Sequence, residues 1–436
     1  MRKTTRAEKL FKYRIIKPHV LSEKSLAEEV IEIVRNHHVF RGSSINLIAS
    51  ENITSRKVRR LLTCDMGHRY AVGFLYERMY RGCEYIDKLE ELTQFLARKL
   101  FRVEHVNTLP ISGTVANIVA IGAFTKPGDT MMGLSVIDGG HSSFREVSRY
   151  HGVSMVPLPF DAEEYNIDVE QSKKMIAKVM PKMVMLGASE ILFPQPVKEI
   201  SETASNVGAV TVYDGAHVLG LIAGDNFQDP LREGAAVITG STHKTFFGPQ
   251  GGIILCKRQY GDAIDKVALS MINNHHINRV AALAYTLAEF LAFGKEYARN
   301  VVANAQALAE ALYNNSVEVL CADKGFTKSH QVIFRVKEGA AMEVSKNLEQ
   351  ANIITSMTPL PSDRSETAAS GIRLGVQEVT RLGMGKDEMD ILGRLIAKVV
   401  KDPSSANAVR EEVKNLASRF RTIHYTFENN EPAYDW

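Results

Sequence analysis

AVTVYDGAHVLGLIAGDNFQDPLREGAAVITGSTHKTFFGPQGGIILCK, residues 209–257, contains three apolar runs of strand length, AVTVYD, AVITGS and GGIILCK. The first closes on Asp214. The second runs out through small hydroxyl residues into His243 and Lys244, and the third resumes after FFGPQG. Runs this apolar, with little polar alternation, suit strands covered by helices on both faces.

The same pattern continues upstream. VNTLPISG, TMMGLS, VSMVPLP and KMVMLGAS are further runs of strand length. Residues 114–129, 166–179 and 197–208 between them carry apolar residues at helical spacing. Strand and helix alternating over about 150 residues predicts an α/β unit with a mainly parallel central sheet. Ahead of it, residues 24–37 behind Ser22, residues 55–63 and residues 84–101 are expected to be helical, the last with acids early and bases late. Beyond it, 277–314 is expected to be a long helical region broken near Gly294. A strand HQVIFRV, a helix at 339–351, a strand GIRLG and a final helix near 386–401 predict a smaller C-terminal α+β unit. The expected division is an N-terminal arm and helix over 1–40, a large α/β domain over 41–290 and the small domain over 291–436.

Composition narrows the function classes. Of 436 residues, 45% are hydrophobic and 24% charged, the balance of an ordinary globular protein. Fifty-three Lys and Arg against fifty Asp and Glu leave a net charge of +3, too small to imply a nucleic-acid partner. MRKTTRAEKLFKYR at the start is the one dense basic cluster. No apolar segment follows it and no run reaches membrane-spanning length, so neither a secretory signal nor a membrane partner is expected. Cys64, Cys83, Cys256 and Cys321 are scattered without metal-ligand spacing, which predicts reduced thiols, no metal site and a cytoplasmic chain.

Ligands of open parallel sheets bind where the strands end. Three features are expected at that edge. Ser112, Gly113 and Thr114 in PISGTVAN open a helix with free amides and hydroxyls that suit a phosphate. Asp214 ends one strand with His217 three residues on, and Lys244 follows the next strand. Taken singly, each has a plainer reading: a helix cap, a capping acid, a surface lysine. Together they supply what pyridoxal phosphate requires, namely a phosphate cup, a carboxylate for the ring nitrogen and an amine for the aldehyde.

LIASENITS (47–55), YAVGFLYERMYRGCEYIDKLEEL (70–92), SGTVAN, DGGHSS (138–143), YDGAHVLGL, STHKTFFGPQGG and SGIRLGVQEVTRLG (370–383) together resemble the serine hydroxymethyltransferase family, in one order from about residue 40 to 400. The resemblance implies a fold-type I pyridoxal phosphate transferase that acts as a homodimer, possibly a tetramer, with sites built from both subunits. By matching position, Lys244 would be the Schiff-base lysine and Asp214 the partner of the ring nitrogen. His141 would stack on the ring, and Ser112, Gly113 and Thr114 would hold the phosphate. Ser189 and His217 would lie near the phenolic oxygen, with His217 a candidate proton shuttle. Ser50 and Arg373 would bind the substrate carboxylate, and Tyr70 and Tyr80 would line the reacting end.

The chain departs from the family at informative places. The family's acid two residues after the tyrosine matched by Tyr70 is Val72 here, GPRGG is GPQGG with Gln250, Thr358 stands for an asparagine near the pteridine, and MINNHHINR (271–279) replaces a glycine-rich loop. THKTFFGPQGG, GFTKSHQVIF (325–334) and GIRLGVQEVTRLGM are similar to the L-threonine transaldolases, which work without folate. The expected activity is cleavage and formation of the Cα–Cβ bond of β-hydroxy-α-amino acids through a glycine carbanion delocalised into the cofactor, as a folate-independent aldolase or transaldolase with amino-acid and aldehyde substrates. The alternatives are serine hydroxymethyltransferase proper with tetrahydrofolate or a related pterin, Glu77 or Glu84 replacing the missing acid, and a non-catalytic scaffold of the same fold.

Overall fold

The computed structural model describes residues 22–428 and 430–435; the basic cluster at the start of the chain lies outside them. All seven apolar runs become strands of one seven-stranded sheet: β1 His105–Asn107, β2 Thr130–Gly133, β3 Ser154–Pro157, β4 Met183–Gly187, β5 Val210–Asp214, β6 Val237–Ser241 and β7 Gly252–Cys256. Their spatial order is β1-β7-β6-β5-β4-β2-β3. β5 runs parallel to β4 and β6, and β2 parallel to β3 and β4. β7 is antiparallel to both of its neighbours. The sheet is therefore mainly parallel with one reversed strand, because the ten residues between β6 and β7 hold no crossover helix that would bring the chain back to its starting edge.

Successive strand residues enter two different cores. Met131, Met183, Met185, Val212 and Ile254 pack on one face with Ala116, Val119 and Ala120 of the Gly113–Phe124 helix. Met132, Val184, Leu186, Tyr213 and Leu255 pack on the other with Ile176, Ile200 and Leu287 from three more helices. Both faces are covered, which explains why the strands lack polar alternation. Each fully buried aliphatic side chain contributes about 1.5–3 kcal/mol relative to exposure.

The long helix runs unbroken over Ile277–Asn314, 38 residues and about 57 Å. Gly294 does not interrupt it. A Cβ on Gly224 would stand 2.5 Å from the Gly294 carbonyl oxygen, and a Cβ on Gly294 itself would meet Phe290 at 2.6 Å. The glycine is there for close approach of the turn at Gly224, with its helical backbone intact. The helix packs against Glu84–Phe101 and Lys386–Lys401.

At the C-terminal side, β8 Gln331–Arg335, β9 Ser356–Thr358 and β10 Gly371–Gly375 form an antiparallel sheet in the order β8-β10-β9. The helix over Lys386–Lys401 matches its expected bounds but is not the last: Ala406–Arg419 follows, packed on the Ala341–Gln350 helix through Val409 and Val413. Near the N-terminus, Ser22 caps the Glu23–Gly42 helix by accepting from the Ser25 amide at 3.3 Å. No described helix is long and apolar enough to cross a membrane.

Candidate active site

β1, β5 and β6 run in the same direction, so the start of the Gly113–Phe124 helix, Asp214 and Lys244 all fall at the carboxyl edge of the sheet. The loop that carries Lys244 is fixed on both sides. Phe246 and Phe247 are buried and stack on Phe290 at 4.1 and 4.0 Å. Thr245 Oγ1 donates to the His217 carbonyl at 2.7 Å, and Asn52 Nδ2 donates to the Lys244 carbonyl at 2.6 Å. The FFGPQGG segment thus anchors the lysine by aromatic packing.

The Lys244 side chain is 8% exposed, and its ammonium makes no hydrogen bond or ion pair with a described residue. Burial lowers it to about 8; Asp214 opposes that shift and Arg373 adds to it. At neutral pH roughly a tenth of such an amine is unprotonated, against well under a thousandth for an ordinary lysine.

Asp214 ends β5 and accepts from Asn117 Nδ2 at 2.8 Å and the Ala216 amide at 2.9 Å. Asn117 also accepts from Thr239 Oγ1 at 2.7 Å and donates to Ser143 Oγ at 3.0 Å. This orienting asparagine was not anticipated, although an amide one turn into an otherwise apolar helix, SGTVAN, is a readable signal. Beside it, Gly187 has φ +88°, and a Cβ there would lie 2.0 Å from the Asp214 carbonyl oxygen. Only glycine lets β4 end so close to the carboxylate.

Ser112 Oγ caps its helix by accepting from Val115 N at 3.1 Å, as in the plainer reading. The amides of Gly113 and Thr114 donate to no described group. A Cβ on Gly113 would stand 2.3 Å from Ser241 Oγ, so the helix start is pressed against the end of β6.

His141 caps the Ser142–Tyr150 helix, its Nδ1 accepting from Ser143 N at 3.1 Å, which leaves the proton of the neutral ring on Nε2. Burial lowers its pKa, with Asp214, Lys244 and Arg373 as its charged surroundings. His217 is buried and held neutral, first by desolvation and then by Lys244 and Arg373. Its Nδ1 lies 3.1 Å from Gln331 Nε2, and that amide's orientation is fixed by Ile191 N donating to Gln331 Oε1 at 2.8 Å. The proton of His217 therefore also sits on Nε2. His330 stacks on His217 at 5.7 Å and is lowered by burial to about 3. Gln331 and His330 lie in the quoted GFTKSHQVIF, but nothing in the sequence brings them to His217.

Arg373, in the middle of β10, was expected to need an anion, and the chain supplies one. Its Nη1 donates to Glu190 Oε1 at 2.7 Å and to the Ser189 carbonyl at 2.9 Å. Both side chains of the ion pair are largely buried. Glu190 follows Ser189 directly and was overlooked. The Thr358 hydroxyl also faces Glu190 and favours its anion.

Other expected residues lie apart. Ser50 lines a cavity of about 660 Å³ with Arg41, His243 and Gln250 and makes no hydrogen bond to Arg373. Tyr70 and Tyr80 are about half exposed, with ring centroids 6.1 Å apart, and make no hydrogen bond or ring contact with Lys244, His141, His217 or Arg373 of their own chain. Glu77 and Glu84, the alternative acids, are exposed in this chain, and Glu84 pairs with Lys88 at 2.7 Å. Arg78 ties their loop down by donating to the Ala71 and Gly73 carbonyls and pairing with buried Asp87 and Glu90. In MINNHHINR, His275 bonds Glu90 at 2.6 Å and Asn278 donates to the Leu62 carbonyl at 2.6 Å.

The donor set fits pyridoxal phosphate. A buried amine without a partner, a fixed carboxylate on the adjoining strand and two free helix-start amides are its three polar requirements.

Comparisons with known proteins agree with that fit. The family model described as serine hydroxymethyltransferase matches residues 24–396. The serine hydroxymethyltransferase of Methanopyrus kandleri is 49% identical over 413 residues, 93% of this chain and 96% of that one. The enzyme of Methanocaldococcus jannaschii is 48% identical over 404 residues, 90% and 94% of the two chains. Among solved structures, the L-threonine transaldolase of Pseudomonas fluorescens superposes with a TM-score of 0.87 at 26% identity, covering 93% of this chain and 94% of that one. The chain therefore belongs to the serine hydroxymethyltransferase family of pyridoxal-phosphate-dependent transferases.

Proposed function

We propose that the chain cleaves and forms the Cα–Cβ bond of β-hydroxy-α-amino acids and passes the glycine unit between aldehydes without folate. The observation that carries the Cα–Cβ reading is the buried, unpartnered Lys244 amine between Asp214 and Arg373. Bound pyridoxal phosphate supplies the electron sink that lets a bond to Cα break with its electron pair left behind.

The protein's own groups do the rest. Lys244 presents a partly unprotonated amine to the cofactor aldehyde. Asp214, oriented by Asn117 and the Ala216 amide, holds a proton on the ring nitrogen. The free amides of Gly113 and Thr114 take the phosphate, with Ser112 ordering that turn. His141 would lie against the ring, and the Nε2–H of His217 would be available to the phenolic oxygen, near Ser189. Arg373 orients the substrate carboxylate through the guanidinium edge that Glu190 leaves open. With the carboxylate fixed by Arg373, a nearby tyrosine or histidine would take the proton of the substrate's β-hydroxyl.

Tyr70 and Tyr80 fit this scheme if they serve a second copy. They lie in a segment that exposes Phe74, Tyr76, Met79 and Tyr85 as well, a large apolar face for one chain to leave in water. A homodimer that buries this face and lends each tyrosine to its neighbour accounts for both the exposure and the distance from Lys244.

Folate independence rests on Val72, which cannot titrate where the family carries an acid. The serine hydroxymethyltransferase reading, with tetrahydrofolate or another pterin as acceptor, is favoured by 49% identity to a protein of that name. Threonine cleavage with a second aldehyde as acceptor, compared with serine cleavage with and without a tetrahydropterin, separates the two. Pterin-free transfer to the aldehyde supports our reading, and strict pterin dependence contradicts it.

A further inference from the structure

Arg373 already holds a carboxylate of its own chain. Glu190 Oε1 lies 2.7 Å from Nη1, on the guanidinium proposed above to receive the substrate carboxylate. From the geometry we infer that Glu190 is a resident counter-ion which takes up a proton when an amino-acid carboxylate reaches Arg373, so that substrate binding and protonation of Glu190 are one coupled event. This rests on Arg373 being the carboxylate anchor.

The argument is one of charge count in a buried space. Glu190 is 9% exposed, and Arg373's side chain is 12% exposed. The groups facing Glu190 come from several elements. Arg373 lies on β10, Thr358 on β9, Lys244 in the loop after β6 and buried Tyr165 beyond β3. The main chain at Gly139 also abuts it, accepting from the Glu190 amide at 3.2 Å. Arg373 is the cation in hydrogen-bond contact with it.

The guanidinium is spent unevenly. Nη1 carries both Glu190 and the Ser189 carbonyl, and Nε reaches Ser356 Oγ only at 3.4 Å. Nη2 donates to no described group, so a second carboxylate has a free edge. Two carboxylates on one guanidinium in a largely dry site cannot both stay ionised at ordinary cost, and one of them takes a proton from solvent. Glu190 is already inclined to do so: burial raises it, against the pull of Arg373, the Thr358 hydroxyl and Lys244. The substrate carboxylate, with an adjacent ammonium, is the stronger acid and remains the anion. As a neutral acid, Glu190 can still accept from Arg373 and gains an O–H to donate.

The sign follows. Uptake occurs in the pH window between the Glu190 pKa of the free protein, already raised, and its higher value with substrate bound. Glycine affinity is therefore greatest below the lower limit, falls as pH rises across the window and levels off above the upper limit.

The test is titration calorimetry of the cofactor-loaded protein with glycine, in buffers of different ionisation enthalpy. At mid-window wild type should take up most of a proton more per glycine than Glu190→Gln, and on the alkaline side of the window the variant should bind glycine about a hundredfold more tightly. Thr358→Val leaves Glu190 in place but removes a hydroxyl that favours its anion, so the uptake profile should move to higher pH. Equal proton stoichiometry and equal affinity in wild type and Glu190→Gln would overturn the exchange while leaving Arg373 as anchor. Glycine binding that survives Arg373→Ala unchanged would instead overturn the anchor itself, and the exchange with it.

Discussion

Asn117 Nδ2 stands 2.8 Å from Asp214 Oδ2, while Oδ1 of the same side chain accepts from Thr239 Oγ1 at 2.7 Å. One amide from the helix that begins at the proposed phosphate cup thus fixes the carboxylate that ends β5. The proposed phosphate and ring-nitrogen contacts would thereby be mechanically joined.

Asn117→Ala leaves the Asp214 carboxylate buried with one donor fewer. A hydrogen bond to a charged group contributes about 1.5–3 kcal/mol. Cofactor affinity should therefore fall by roughly 10- to 100-fold, measured by fluorescence titration of the cofactor-free protein, with little change in secondary structure by circular dichroism.

Lys244, lowered to about 8 from an ordinary 10.5, binds fewer protons folded than unfolded across that interval. Stability of the cofactor-free protein should then rise with pH between those values, by on the order of 3 kcal/mol for this group. Lys244→Met should abolish that share of the rise in urea unfolding, and the variant should be the more stable protein at neutral pH, where burying a charged amine costs most.

Val72→Glu returns a titratable group to the segment behind Tyr70. General acid–base assistance is worth about a hundredfold or more. On our reading the variant gains pterin-dependent serine cleavage of that order, while pterin-free threonine cleavage does not rise. Steady-state assays with both substrates read the two effects separately.

If Tyr70 serves a second copy, two defective chains can repair each other. Lys244→Ala and Tyr70→Phe, each inactive or nearly so alone, should recover about a quarter of wild-type activity when co-refolded in equal amounts, because half the dimers then carry one intact site. Sites complete within one chain would give no recovery.

What was legible in the sequence follows from what is local. The seven strands were readable because unbroken apolar runs bounded by Gly, Ser and Asp need no knowledge of partners. The Glu84–Phe101 and Lys386–Lys401 helices were readable from period and charge placement. Strand direction was not: β7 reverses because a ten-residue loop, pinned by Phe246 and Phe247 on Phe290, turns the chain back without a helix, and that packing is long-range. Gly294 was read as a break because a glycine needed for close approach looks the same in sequence as one that ends a helix. Lys244, Asp214 and Ser112 could be named from their strand ends. Glu190 and Gln331 could not, since each acquires its meaning from a partner 183 or 114 residues away, whereas Asn117 leaves a signal as an amide in an apolar helix.

The central claim is that Lys244 is the amine that holds the cofactor. The direct measurement is borohydride reduction of the cofactor-loaded protein, followed by proteolysis and mass spectrometry. Our account predicts one pyridoxyl adduct per chain, on the peptide containing Lys244, and none in Lys244→Ala. An adduct on another lysine, or an unmodified Lys244 in a protein that retains its cofactor absorbance, would contradict it.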